Sequence, residues 1–242
     1  MIEKRKAFNF TFRKDTLLAT ITAFLMLPVY YVNTHYGMDS VAVFFIVFIV
    51  VGHLFLNTLI PAYVVIHMGG EGLSGLGITT HNLIKSIVIS IILAVISSYQ
   101  LMNVAKDFGD VDLLPHLIFN GLVLWEVLFV YGWLQLRFEK AFGYILAPIL
   151  SALCFCFYHV GSFDPAEILP LFFVGLVFGV AFGITRNIFL LTPIAWSVSS
   201  GMGSMMGGFI GGWDDVLIYS VVVAVQIFIL WKVNSSSRSV ST

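Results

Sequence analysis

The chain has 242 residues, of which 59% are hydrophobic and 10% charged, with a formal net charge of -1. So little charge cannot coat a soluble domain of this length, and a mean hydropathy of +0.99 with recurrent apolar stretches places the chain in a lipid bilayer. No segment is long and polar enough for a separate soluble domain, so residues 1–242 are expected to form a single membrane domain.

In chain order, the basic start MIEKRKAFNFTFRK interleaves phenylalanines with cations. Residues 1–15 are therefore read as an interfacial segment lying along lipid headgroups, not as a nucleic-acid-binding arm. About eight spans follow, at roughly 16–36, 41–67, 83–104, 114–136, 142–160, 167–185, 187–211 and 214–232. The first is too long for a cleaved signal peptide and is expected in the mature protein. With the N-terminus in the cytoplasm, eleven of the twelve basic residues fall on the inner side: Lys4, Arg5, Lys6, Arg13, Lys14, Lys85, Arg137, Lys140, Arg186, Lys232 and Arg238. Only Lys106 falls outside, and the outer loops carry Asp39, Asp107, Asp110, Asp112, Asp164, Glu167, Asp214 and Asp215. The predicted fold class is an all-α bundle of about eight transmembrane helices in the cell membrane, with both termini cytoplasmic. The Ser-rich tail, 233–242, is expected to be disordered.

Several features are read as structural. Gly175, Gly179 and Gly183 repeat every fourth residue, as do Gly203, Gly207 and Gly211, giving faces on which helices approach closely. Packing within the chain is the first reading of these faces and a homo-oligomer the second. Cys154 and Cys156 lie two apart and are expected as buried packing residues. His35, His67, His81 and His116 fall in loops or near span ends, while His53 lies deeper. No HExxH and no Cys/His or carboxylate cluster at ligand spacing appears, so no metal and no cofactor is predicted. GGEGLSGLG, residues 69–77, lacks the lysine of a phosphate-binding loop and is expected to be a flexible cytoplasmic turn.

WEVLFVYGW, residues 125–133, carries the chemical signal. A charged carboxylate in mid-span costs about 2.5 to 3.5 kcal/mol on insertion scales, so Glu126 must face the bundle interior. Its helical face runs through Phe119, Leu122, Val130, Trp133 and Arg137, with Arg137 three turns away and too far to pair. Of the polar residues within other spans, His159 is the acid-base partner that stands out. Span counting, however, separates the two by roughly 10 to 15 Å in depth.

WEVLFVYGWLQLRFEKAFG, then SALCFCFYHVG, then LLTPIAWSVSSGMG resemble the three motif regions of the CPBP family, the CAAX prenyl endopeptidases and bacteriocin-processing intramembrane proteases. The resemblance covers roughly residues 114–212 and implies an eight-helix bundle whose site comes from EExxxRG, FxxxH and HxxxN motifs. Glu126 stands at the first glutamate, Val127 replaces the second, Tyr131 replaces the arginine, and Gly132 keeps the glycine. Phe155 and His159 supply FxxxH intact, while Trp196 and Ser200 occupy the histidine and asparagine positions of the third motif.

By that resemblance, Glu126 and His159 activate the attacking water. Trp196 and Ser200, both hydrogen-bond donors, are candidates to hold the oxyanion. Losing one preorganised oxyanion donor typically costs about 10² to 10³ in turnover. The implied function is a CAAX-type membrane protein that is impaired or non-cleaving, a pseudoenzyme binding a membrane protein or peptide, possibly lipidated. The alternative is an active glutamate-type endopeptidase. A small transporter using Glu126 as a proton site lacks the inverted repeat it would need.

Overall fold

The computed structural model describes residues 5–37, 39–109, 112–122, 124–190, 198, 201, 204–205 and 209–240. In chain order its helices are α1 (Lys14–Gly37), α2 (Val41–Met68), α3 (Leu83–Phe108), α4 (Leu113–Gly121), α5 (residues 124–142), α6 (Leu146–Tyr158), α7 (Pro165–Thr185) and α8 (Trp213–Val240). Among the described residues there is no β-strand. Among the described residues five helices, α1, α2, α3, α7 and α8, are long and apolar enough to cross a membrane. Their outward faces are apolar as well: Ile84, Val95, Ile96 and Tyr99 of α3 are all exposed, as a lipid-facing helix requires. The chain is an all-helical membrane protein.

Of the other expected spans, two differ from prediction and the third lies mostly outside the described residues. The stretch 114–136 is not one helix: α4 stops at Gly121, a poor helix former, and the Leu122 amide bonds back to the Ile118 and Phe119 carbonyls. Helix resumes at Leu124. The stretch 142–160 contains only the short α6. Most of 187–211 lies outside the described residues. The predicted disordered tail is helical as far as Val240, and the hydroxyls of Ser235, Ser236 and Ser237 bond to the carbonyls four residues back.

Lipid tails are as apolar as leucine, so burial against other helices offers little driving force here, and close packing and polar contacts must hold the bundle. Both converge on α5, whose residues Leu128–Gln135 are all buried. The Trp133 indole donates to Thr22 Oγ1 of α1 at 3.0 Å, and Gln135 Nε2 donates to the Gly179 carbonyl of α7 at 2.7 Å. Hydrogen bonding through Leu128–Gln135 takes the wide, five-residue form, so a 3.6-residue stripe drawn from Glu126 does not continue along α5. The glycines of α7 are used within the molecule: a Cβ at Gly175 would lie 3.0 Å from Phe155, and one at Gly179 would lie 3.2 Å from Pro148. Cys154 is partly buried and Cys156 buried, and neither forms a disulfide.

Gly132 is where the 69–77 segment presses on α5. A Cβ there would sit 2.5 Å from the Leu76 backbone carbonyl, which has no flexible end to move aside. Gly132→Ala is therefore expected to destabilise the protein by about 1 to 3 kcal/mol, read as a lowered thermal midpoint in detergent.

The basic residues gather at one end of the bundle. Arg137, 1% exposed, makes a two-pronged pair with Glu71 at 2.8 and 2.9 Å, donates to the Gly75 carbonyl at 3.0 Å, and reaches Asp15 at 3.4 Å. Lys140 also pairs with Glu71, while Arg5 and Arg186 both hold Glu139, at 2.7 and 2.8 Å. The segment read as a flexible turn is thus fastened, because Glu71 is the counter-charge of a buried arginine. Burial works against the charge of Glu71, but its bonds to Arg137 and Lys140 outweigh that and hold the carboxyl below the usual carboxylate range. The N-terminal segment is also tied to this end. The Asn9 and Thr11 amides donate to Phe142 and Ala141, and the Tyr144 and Ile145 amides donate back to Lys6 and Ala7. Alternate residues Phe8, Phe10 and Phe12 stay exposed, as an interfacial segment would leave them.

Candidate functional site

The broken fourth stretch removes the depth problem between Glu126 and His159. α4 ends at Gly121, and Glu126 lies within the first described turn of α5, Leu124–Val127. His159 caps the C-terminal end of α6, which runs back alongside α5. The two meet with His159 Nε2 3.8 Å from Glu126 Oε1. The Glu126 side chain is 18% exposed and that of His159 6%, so the pair is enclosed but Glu126 is not sealed.

The orientation of His159 is set by its backbone. Nδ1 lies 2.7 Å from the Phe155 carbonyl, which can only accept, so Nδ1 carries a proton and Nε2 faces Glu126. Aromatic rings hold the imidazole in place: Tyr158, Tyr30, Phe155 and Phe163 have centroids 4.5 to 4.9 Å from it. FxxxH is thus a local device, in which Phe155 supplies both a ring contact and the carbonyl that fixes the histidine.

Glu126 has partners that sequence reasoning did not find. The hydroxyls of Tyr158 and Tyr30 donate to Oε1 at 3.0 and 3.3 Å. Both carry a polar tip into apolar spans, and Tyr158 adjoins His159. Tyr131, at the family's arginine position, instead donates to the Gly175 carbonyl at 3.4 Å, and Val127 is buried in the core. Two tyrosine hydroxyls from α1 and α6 therefore orient the carboxylate in place of an ion pair on its own helix.

A second layer surrounds this pair. Tyr30 touches Phe48, Phe48 touches His53, and His53 lies beside Tyr219 of α8, at centroid separations of 5.4, 4.3 and 5.9 Å. His53 is fully buried, as its place within the second span predicts. Trp196 and Ser200, the candidate oxyanion donors, lie outside the described residues. Beyond them Ser204 donates to Asn120 at 2.9 Å and the Gly211 amide donates to His116 Nδ1 at 2.9 Å, so the chain returns to α4, next to the start of α5. Among the described residues no three His, Cys, Asp or Glu side chains come together as a metal ion would need.

The ordered trio Glu126, Phe155 and His159, on two neighbouring helices, agrees with what a comparison with known families finds. Residues 111–199 match the type II CAAX prenyl endopeptidase Rce1-like family. The Rce1-like segment contains α4, α5, α6 and α7 and both residues of the Glu126–His159 pair. The match agrees with the motif resemblance: over this segment the chain is similar to CAAX-type prenyl endopeptidases. No curated protein and no solved structure matches the chain.

Proposed function

We propose that the protein is a glutamate-type intramembrane endopeptidase of reduced turnover. Glu126 and His159 act on one water, and a membrane protein or peptide, possibly lipidated, enters between helices. The 3.8 Å approach of His159 Nε2 to Glu126 Oε1 carries this reading. That separation is beyond a direct hydrogen bond and short enough for one water to touch both groups. Glu126 takes the proton of the attacking water, and His159, with Nδ1 committed to Phe155, presents Nε2 to the same molecule. Trp196 and Ser200 are the oxyanion donors in this reading. Val127 and Tyr131 supply no ion pair, which supports slow cleavage.

The second reading is a pseudoenzyme that binds the same partner without cutting it. The two tyrosine hydroxyls on Oε1 favour it, since they occupy the oxygen that faces His159. The clustering of Arg5, Arg13, Lys14, Arg137, Lys140 and Arg186 at one end supports a cell-membrane orientation with both termini in the cytoplasm. The deciding experiment reconstitutes the full chain in bilayers and assays cleavage of a pooled membrane-peptide library by wild type, Glu126→Gln and His159→Ala. Cleavage by wild type that disappears in both variants supports the hydrolytic reading. No cleavage by folded wild type, with peptide retained, leaves the binding one.

A further inference from the structure

We propose that the basic end of the bundle holds a specific site for one anionic glycerophospholipid, seated between the start of α1 and the end of α2. The inference is independent of whether Glu126 and His159 cleave anything. A cavity of about 260 Å³ opens there, and its polar part is formed by Arg13, Lys14, Asp15, Glu71 and Arg137. Three cations face two carboxylates, and Lys140 adds a fourth cation behind Glu71. Arg137 lines the cavity although only 1% exposed, and its Nε makes no hydrogen bond among the described residues. Arg13 and Lys14 are exposed, with Arg13 bound only loosely to Asp15 at 3.3 Å. A phosphate would find two exposed cations at the mouth and a buried one at the back.

The rest of the cavity explains why the anion should come with an acyl chain. Leu18, Val64 and Met68 form its apolar wall, with Leu18 37% and Met68 67% exposed on α1 and α2. They lie next to the charged end of two helices long and apolar enough to cross a membrane, as the contact zone of a headgroup and its acyl chains would require. Exposed Phe8, Phe10 and Phe12 lead into Arg13, as aromatic residues do at the headgroup layer. A free phosphate would leave the apolar wall unused, and a neutral headgroup would leave the cationic excess uncompensated.

The test titrates full-length protein in detergent with phosphatidylglycerol, phosphatidylcholine or inorganic phosphate, reading bound lipid by native mass spectrometry and the thermal midpoint in parallel. Phosphatidylglycerol is expected to bind and raise the midpoint, with the other two doing neither. Arg13→Gln/Lys14→Gln should weaken phosphatidylglycerol binding about tenfold, since each cation near an anionic surface contributes substantially. Lys85→Gln/Lys232→Gln, which removes two cations elsewhere on the chain, should leave it unchanged. Equal binding by wild type and Arg13→Gln/Lys14→Gln overturns the proposal, as does an equal loss in the Lys85 and Lys232 variant. Stabilisation by inorganic phosphate alone would assign the cavity to a free anion and overturn the lipid.

Discussion

Glu126→Gln, in full-length protein reconstituted in bilayers, is expected to lower peptide cleavage by about 10²- to 10⁴-fold, the usual contribution of a positioned general base. The amide keeps the shape of the carboxylate, and its oxygen still accepts from Tyr158 and Tyr30, so the fold and the aromatic surround of His159 stay as they are. What is lost is the ability to take a proton from water. The loss should therefore fall on kcat, with KM changed little. His159→Ala should cost a similar factor, while also removing a ring packed by Tyr158, Tyr30, Phe155 and Phe163. Tyr30→Phe should cost less than either, because the shorter bond from Tyr158 remains. If Glu126→Gln cleaves as fast as wild type, the assignment of the base is wrong.

Glu71→Ala is expected to destabilise the protein by about 3 to 5 kcal/mol, the cost of leaving a buried charge without its partner. The stranded charge is Arg137, 1% exposed and held by two bonds to Glu71 but only a 3.4 Å approach to Asp15. Thermal unfolding in detergent, followed by circular dichroism, measures it. The double variant Glu71→Ala/Arg137→Met should regain much of the loss, since it leaves no buried charge without its partner. A Glu71→Ala midpoint equal to that of wild type would show that the pair contributes nothing. The same bond sets an acid limit on stability. The folded carboxyl of Glu71 lies below its ordinary value, so its contribution is complete above the ordinary carboxylate range near pH 4.3 and is lost as the pH falls through the lowered folded value.

The motif residues show how far a one-dimensional reading reached. Glu126 and His159 were legible because an acid and a histidine are expensive in an apolar setting and must be used. Their adjacency was not, because span counting placed Glu126 halfway along a single helix. The end of α4 at Gly121 separates Glu126 from the first part of that stretch. Tyr30 and Tyr158 escaped notice because a tyrosine in an apolar span reads as bulk, and only packing shows where its hydroxyl points. Glu71 escaped because the glycines around it read as a mobile turn, whereas its partners Arg137 and Lys140 lie more than sixty residues away in the chain.

Composition placed this chain in a membrane, and its unbroken apolar stretches of about twenty residues made it helical, since a bilayer satisfies a backbone only in helices or closed β-barrels and barrel strands are shorter and alternate. Motif order along the chain determined which residues to watch. Tertiary structure decided what those residues touch: that Tyr30 and Tyr158 hold Glu126, that Phe155 turns His159 toward it, and that Glu71 neutralises Arg137. The physical reason is one of range. Hydropathy is summed residue by residue and survives any arrangement of the helices, whereas a hydrogen bond depends on ångström separations that exist only once α1, α2, α5 and α6 have packed.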